Sequence, residues 1–392
     1  MNQSIIPREE LSRAVLDSLS TQPVTALLGP RQCGKTFLAD LLSYRFGERH
    51  WFDLERPQDL YRLRENPGLL ESLQGLVVID EVQRMPELFA QLRVLADRRF
   101  PLTRFLILGS ASFELTRGAS ESLAGRIRFI PMSGFHLSEL TVHDQEPLWT
   151  RGGFPKSFLA SNEQESWLWR ESFVDTFLMK DIPSYGLVRH GSMLMRRFWT
   201  MTAGFHGQSW NASKLSASLG IDAGTVKRYL DLLTECYMVR QLQPWTENVG
   251  KRIRRSPKVY LRDPGILHYL LGIRTTQDLL VNQAYGPSWE GFALEHILKL
   301  AGSSFDAYAW ETLAGAELDL LLVRGTRKIG FEMKASSTPS STKSMRIAHH
   351  DLRLEKIYVV HPGVESYELD GVIHIVAMRD LHEIVGPSLC EN

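Results

Sequence analysis

An apolar run, Val24-Thr25-Ala26-Leu27-Leu28, passes without a break into Gly29-Pro30-Arg31-Gln32-Cys33-Gly34-Lys35-Thr36. An amphipathic stretch carrying Phe37, Leu38, Leu41 and Leu42 comes next. Strand, glycine loop and helix in this order leave few folds open. The glycines let backbone N–H groups turn inward as a concave donor surface, and the helix points the positive end of its dipole at the same place. Such a nest is built for an anion, and the spacing GxxxxGK[ST] is the one that cradles nucleotide phosphates. Gly29, Pro30, Arg31, Gln32, Cys33, Gly34, Lys35 and Thr36 are therefore the candidate nucleotide-binding residues, with ATP and Mg²⁺ as the expected ligands. In that role Lys35 reaches the β and γ phosphates and the Thr36 hydroxyl ligates the metal. A chance glycine loop is the alternative, and a strand before with a helix after argues against it.

A second apolar run, Leu76-Val77-Val78-Ile79, ends in Asp80-Glu81. Downstream of a phosphate loop, the first acid is placed to serve the Mg²⁺ shell, and the second to orient or deprotonate the attacking water. A third run, Phe105-Leu106-Ile107-Leu108-Gly109, ends in Ser110, which either holds that water or simply caps the strand. Arg126, at the head of a further apolar segment, is either an arginine finger for a neighbouring subunit or an ion-paired structural residue.

The candidate strands 24–28, 50–54, 76–80, 104–110 and 126–132 alternate with helical stretches, which predicts a mostly parallel sheet covered on both faces. A chain of 392 residues exceeds one core and implies two or three domains. With 43% hydrophobic and 23% charged residues and a formal net charge of zero, it is an ordinary globular chain with no global field for nucleic acid or anionic membrane. No apolar stretch approaches the roughly 18 residues of a membrane span, so no membrane partner is expected. Three well-separated cysteines, Cys33, Cys236 and Cys390, and an acid-bearing N-terminus point to a reduced cytosolic protein. None of the twelve histidines is paired as a metal ligand.

From about residue 138 the texture changes. Segments 166–187 and 193–205 are aromatic-rich with helical period, and Trp167, Trp169, Phe173 and Phe177 read as core packing. Residues 208–242 then read helix, turn, helix, strand. Thr225, Lys227 and Arg228 sit near the start of the second helix, where a major-groove reader would expose them, although a packing module with no DNA contact reads the same. Lys251-Arg252-Ile253-Arg254-Arg255-Ser256-Pro257-Lys258 holds five cations in eight residues, either a solvated loop or a phosphate contact.

The motifs GPRQCGKT, FDLE, LVVIDEVQ, LILGSAS, ESLAGR, GGFP, KDIPSYG and PKVYLRDPGILHYLLG, in that order, resemble a bacterial or archaeal AAA+-type ATPase whose AAA_14 module is followed by a DUF4143 region. The resemblance implies a P-loop ATPase core (1–137), a helical region (138–207), a winged-helix module (208–287) and a nuclease-like domain (288–392). The fold class is thus α/β: a parallel P-loop sheet, then a helical and winged-helix segment and a small α/β domain. Together with Arg126 the resemblance implies self-association, with ring size left open.

Near the C-terminus, Asp319 lies in an alternating strand, and after a turn comes Ile329-Gly330-Phe331-Glu332-Met333-Lys334. On a hairpin Glu332 and Lys334 point the same way, so Asp319 and Glu332 could share a Mg²⁺ while Lys334 positions water. This resembles the PD-(D/E)xK nuclease pattern, with Leu318 where its proline would stand. The family's GxxxE match on Gly291-Phe292-Ala293-Leu294-Glu295 makes Glu295 a further metal candidate, and Glu290 is a nearby alternative. Asp306 and Glu311 read as surface acids.

The whole chain admits three readings. The first is an ATP-gated nucleic-acid enzyme with DNA as the expected partner. The second is a nucleotide switch whose C-terminal domain binds nucleic acid without cutting it. The third is an ATP-dependent signalling or remodelling protein.

Overall fold

The structure, a computed structural model, describes residues 5–98, 103–110, 123–184, 191–246 and 256–390. Contacts group the chain into two units, one of residues 1–135 with 235–237 and the other of 136–234 with 238–392.

In the first unit, β1 (Val24–Leu28), β2 (Arg49–Asp53), β3 (Gly75–Asp80), β4 (Thr103–Gly109) and β5 (Ile127–Pro131) form one parallel sheet in the order β2-β3-β4-β1-β5. The interior strands carry continuous apolar runs because helices cover both faces. Every residue of β1 is buried, as is β3 from Leu76 onward. The edge strands β2 and β5 are half-exposed and correspondingly mixed in composition. Val24, Ala26, Val77, Ile79, Phe105 and Ile107 pack with Leu88 and Leu92 of the helix Leu88–Ala96 in one core. Because the strands are parallel, their C-terminal ends share one rim. Leu28, Asp80 and Gly109 all end there, and the residues just beyond these strand ends form the site.

The second unit opens with helices. The expected stretch 166–187 is a helix, Glu163–Thr176, running into a π-turn at Phe177–Asp181, while 185–187 lie outside the described residues. Its aromatics form a continuous packed row, Phe154 and Trp169 against Phe173, Phe173 on Phe177, and Phe177 on Trp199. The helices Ala212–Leu219 and Ala223–Glu235 lead into an antiparallel sheet, β6 (Gln208–Ser209), β8 (Lys258–Leu261) and β7 (Val239–Leu242), with β8 central. Thr225 is turned inward rather than toward solvent: Asp222 accepts from both its amide and its hydroxyl, at 2.9 and 2.6 Å. Lys227 and Arg228 remain exposed, and residues 251–255 of the basic run lie outside the described residues.

The C-terminal part is a six-stranded mixed sheet. It comprises β9 (Asp306–Glu311), β10 (Glu317–Arg324), β11 (Arg327–Met333), β12 (Lys356–His361), β13 (Tyr367–Glu368) and β14 (Ile373–Ala377) in the order β13-β14-β12-β11-β10-β9. Strands β9, β10 and β11 are antiparallel, and β11, β12 and β14 run parallel. The expected alternation in β10 is absent: Leu318 through Val323 are all buried, because both faces of the sheet are covered. Among the described residues no helix is long and apolar enough to cross a membrane.

Candidate functional site

The phosphate loop comes after β1 at the common rim, and two glycines make it possible. A Cβ on Gly29 would lie 1.8 Å from the Met132 carbonyl oxygen, so only a hydrogen fits where the chain leaving β5 passes behind the loop. Gly34, with φ 101°, turns the chain through the left-handed region into the helix Lys35–Ser43, which side chains resist. Cys33 is buried, its Sγ 3.7 Å from the Met132 carbonyl oxygen, so it serves packing.

Lys35 is 6% exposed, and its ammonium donates to the carbonyl oxygens of Gly29 (2.9 Å) and Pro30 (2.8 Å). It is thus held over the loop by uncharged partners that an anionic phosphate can outcompete. The Thr36 hydroxyl donates to Asp80 Oδ2 at 2.8 Å, and Asp80 Oδ1 accepts from the Glu81 amide at 2.9 Å. Burial pushes the Asp80 carboxyl above its ordinary range, and the Thr36 hydrogen bond opposes that push. A hydroxyl and a carboxylate in contact at the loop fit a nucleotide-bound Mg²⁺, which needs one or two protein ligands beside the phosphates. The donor set therefore fits ATP with Mg²⁺, and Lys35, Thr36 and Asp80 would hold them.

Glu81 leaves β3 with φ 55°, a left-handed turn that non-glycine residues resist. Its carboxylate accepts from the Gln83 amide, which also donates to the Ser110 hydroxyl at 3.0 Å, and Arg31 lies 3.8 Å away. The rim thus joins Glu81 to Ser110 through Gln83 and sets Arg31 beside Glu81; Gln83 is a residue that sequence reasoning passed over although it lies inside the LVVIDEVQ motif. Arg31 also approaches Glu55 at 3.5 Å. Arg126 is elsewhere: it precedes β5, at the opposite end of the sheet from its own phosphate loop, ion-paired with Asp97.

The second cluster lies in the C-terminal part. Hairpin register, with Leu320 opposite Phe331, brings Asp319 of β10 and Glu332 of β11 side by side. Asp319 Oδ2 accepts from the Met333 amide at 2.9 Å, and Lys334 pairs with Glu332. Glu295 requires a correction. It is not a member of this cluster, because Arg240 and Arg262 hold it from β7 and the end of β8. Burial would raise its pKa, and the two guanidiniums outweigh that and lower it to about 2. The helical acid that faces the hairpin is Glu290, five residues earlier on the helix Tyr285–Ala301; at about 100° per residue, five positions turn the side chain to another face.

Glu290 accepts from the Tyr260 hydroxyl. Burial, reinforced by Asp319, pushes its carboxyl well up, and the same two causes raise Glu332. The unexpected member is Lys258, the first residue of β8. Its ammonium lies 3.7 Å from Glu290 Oε1, 3.7 Å from Asp319 Oδ1 and 3.8 Å from Glu317 Oε2, with the residue 5% exposed. Burial works against its charge, and Glu290, Asp319, Glu317 and Glu311 outweigh burial and raise its pKa. Among the described residues no group of three or more His, Cys, Asp or Glu side chains is arranged to hold a metal ion.

Comparison with known proteins agrees with the phosphate loop. Two curated relatives, the uncharacterized proteins Rv2008c of Mycobacterium tuberculosis and Mb2031c of Mycobacterium bovis, are each 44% identical over 369 residues, covering 94% of this chain and 83% of theirs. The chain belongs to the family of these two mycobacterial proteins. Its residues 21–141 match the AAA domain model AAA_14, and 285–381 match a domain of unknown function, DUF4143. Between them, 142–277 match another, DUF8612. Among solved structures, the Walker-type ATPase PABY2304 of Pyrococcus abyssi superposes with a TM-score of 0.50 at 16% identity. That match covers 69% of this chain and 97% of that one. The chain thus has the P-loop ATPase fold.

Proposed function

We propose that this AAA-domain protein hydrolyses ATP with Mg²⁺ at the loop of Gly29, Pro30, Arg31, Gln32, Cys33, Gly34, Lys35 and Thr36, and that the nucleotide cycle governs nucleic-acid binding by its C-terminal part. The observation that carries the first half is the contact of Thr36 with Asp80 on the rim that also bears Lys35 and Glu81. Mg²⁺, when bound, would draw charge from the phosphate oxygens. Lys35 leaves the Gly29 and Pro30 carbonyls for phosphate. Glu81, freed from Gln83, accepts a proton from the attacking water, and Ser110 and Gln83 orient that water. Steady-state ATP hydrolysis by wild type, Lys35→Ala and Glu81→Gln tests this. Lys35→Ala loses nucleotide binding, and Glu81→Gln keeps binding while losing turnover. Full turnover in Glu81→Gln overturns the assignment.

The second half rests on the mixed sheet that sets Asp319, Glu332 and Lys334 on one hairpin beside Glu290, an arrangement similar to PD-(D/E)xK nucleases, and on the exposed Lys227 and Arg228. DNA is the polymer to try first. ATPase rates unchanged by single- or double-stranded DNA or RNA, with no binding to any of them, would favour the other reading. In that reading the C-terminal part is a protein-docking surface of a signalling or remodelling switch.

A further inference from the structure

A catalytic Mg²⁺ at Asp319 and Glu332 would need carboxylate oxygens drawn in to about 2.1 Å around a nearly octahedral ion. Beside Asp319 the cluster already contains a positive charge. Lys258 reaches it from β8, and its ammonium is almost equidistant from the carboxylates of Glu290, Asp319 and Glu317, the first on a helix and the other two on β10.

This lysine is not a surface side chain that has folded over. All four residues of β8 are buried, and β8 is the central strand of its sheet. Lys258 pairs with Ser209 on one side and Leu242 on the other, so its backbone is fixed from both flanks. Tyr260, two residues on and so on the same face, donates its hydroxyl to Glu290. β8 therefore presents a cation and a donor together to the acids. On the hairpin itself, the Met333 amide donates to Asp319 Oδ2, and Lys334 takes Glu332 Oε1. Glu332 Oε2 is buried with no partner, and Asp319 Oδ1, the other oxygen an ion would need, faces the Lys258 ammonium at 3.7 Å. The residues present do not fit such an ion at this hairpin.

We propose that Lys258 is the resident cation of Glu290, Glu317 and Asp319, the acids beside Glu332, so that the C-terminal part takes no divalent ion there and holds nucleic acid without hydrolysing it. The ion implied by the nuclease-like pattern is replaced by a side chain from the preceding module. The nucleic-acid part rests on the reading proposed above, while the exclusion of metal is independent of the ATPase. A buried lysine paired with Glu317 and Asp319 of β10 also ties β8 to the hairpin, since removing either partner of such a pair strands a charge.

The test is Mn²⁺ binding followed by electron paramagnetic resonance on nucleotide-free full-length protein. Wild type, Glu332→Gln, Lys258→Met and the double variant Lys258→Met with Glu332→Gln are compared, with Asp80→Asn marking any ion held at the phosphate loop. Wild type is expected to bind no Mn²⁺ that Glu332→Gln removes. Lys258→Met is expected to gain Mn²⁺ affinity by about tenfold or more, the scale on which single groups around metal centres act, and the double variant to lose that gain. If Lys258→Met does not fold, the wild-type comparison with Glu332→Gln decides alone. Mn²⁺ bound by wild type and lost in Glu332→Gln, or Mg²⁺-dependent DNA cleavage lost in Glu332→Gln, overturns the proposal. Failure of the ATPase reading is distinguishable, because it appears in ATP hydrolysis and in Asp80→Asn.

Discussion

The molecule sets lysine against carboxylate twice, with opposite results. At the phosphate loop, Lys35 rests on two neutral carbonyls while Asp80 and Glu81 are occupied by Thr36, Gln83 and Arg31. Every charged partner there is held by something an ATP phosphate or Mg²⁺ can displace. At the C-terminal hairpin, Lys258 is buried directly among the acids, and Lys334 is paired with Glu332. A site that keeps its lysine and its carboxylates apart is ready for a ligand carrying both charges. A site that pairs them has balanced its charges from within, even with Glu332 Oε2 left without a partner. Carboxylates and a lysine close in space are common to both, and which partner each one touches separates them.

The largest effect should come from disturbing the site that is ready. Glu81→Gln preserves shape but removes the proton acceptor, and turnover should fall on the order of 10²–10⁴-fold with ATP binding kept. The corresponding change at the lysine-paired site, Glu332→Gln, should leave ATP hydrolysis unchanged. A comparable loss of ATPase activity in Glu332→Gln would erase the contrast.

Next in size is a stability effect. Glu295 is the common partner of Arg240 and Arg262. Glu295→Gln leaves two partly buried guanidiniums facing a neutral group, and the protein should lose about 3 kcal/mol of stability, read from urea midpoints. Glu290→Gln should cost much less, because its proton is already held tightly and a neutral side chain replaces a group biased toward neutrality. If the two variants melt alike, the division between the arginine pair and the acidic cluster is wrong.

That division marks where the sequence stops being legible. The phosphate loop occupies eight consecutive residues, and its acids end an apolar strand, so local pattern alone locates Gly29, Lys35, Thr36, Asp80 and Glu81. The interior strands are equally plain, because burial on both faces leaves unbroken apolar runs. The acidic cluster instead draws on residues 258, 290, 317, 319, 332 and 334, and only the hairpin members are close in sequence. Choosing Glu295 over Glu290 depends on the rotation of one helix, which the GxxxE spacing does not settle. Lys258 sits at the end of a basic run that reads as a solvated loop or a phosphate contact, and only strand pairing turns it inward. Gln83 escapes because an uncharged amide carries no signal until Glu81 and Ser110 are seen on either side of it.

A pH series sharpens the comparison further. Glu290 and Glu332 bind protons more tightly in the fold than in the unfolded chain, where a glutamate titrates near 4.5. Their contribution to stability is therefore complete below that value and is lost as pH rises through their raised folded values. Asp263, raised to about 6 by burial, acts with the same sign. His206, His268 and His296, all lowered by burial, act the other way as pH falls below about 6.5. The wild-type curve mixes these, so the readout is the difference between wild type and Glu290→Gln in thermal midpoint between about pH 5 and 8. The variant should lose part of the decline toward alkaline pH, and an unchanged slope would show that the cluster is ionised throughout.

The smallest effect concerns Arg126. It lies at the far end of the sheet from its own loop and pairs with Asp97 on the surface. Exposed ion pairs of this kind contribute little to folding, so Arg126→Ala should leave the thermal midpoint in place. It cannot stabilise charge at its own phosphate loop. Any effect on turnover must come from acting on a neighbouring copy, with the Asp97 pair broken to free it. The variant is therefore best measured across protein concentration. A turnover number that rises with concentration in wild type and stays flat in Arg126→Ala would place Arg126 at a site shared between copies. Equal and concentration-independent rates would make it a surface ion pair, leaving Lys35, Glu81 and Gln83 to carry hydrolysis within one chain.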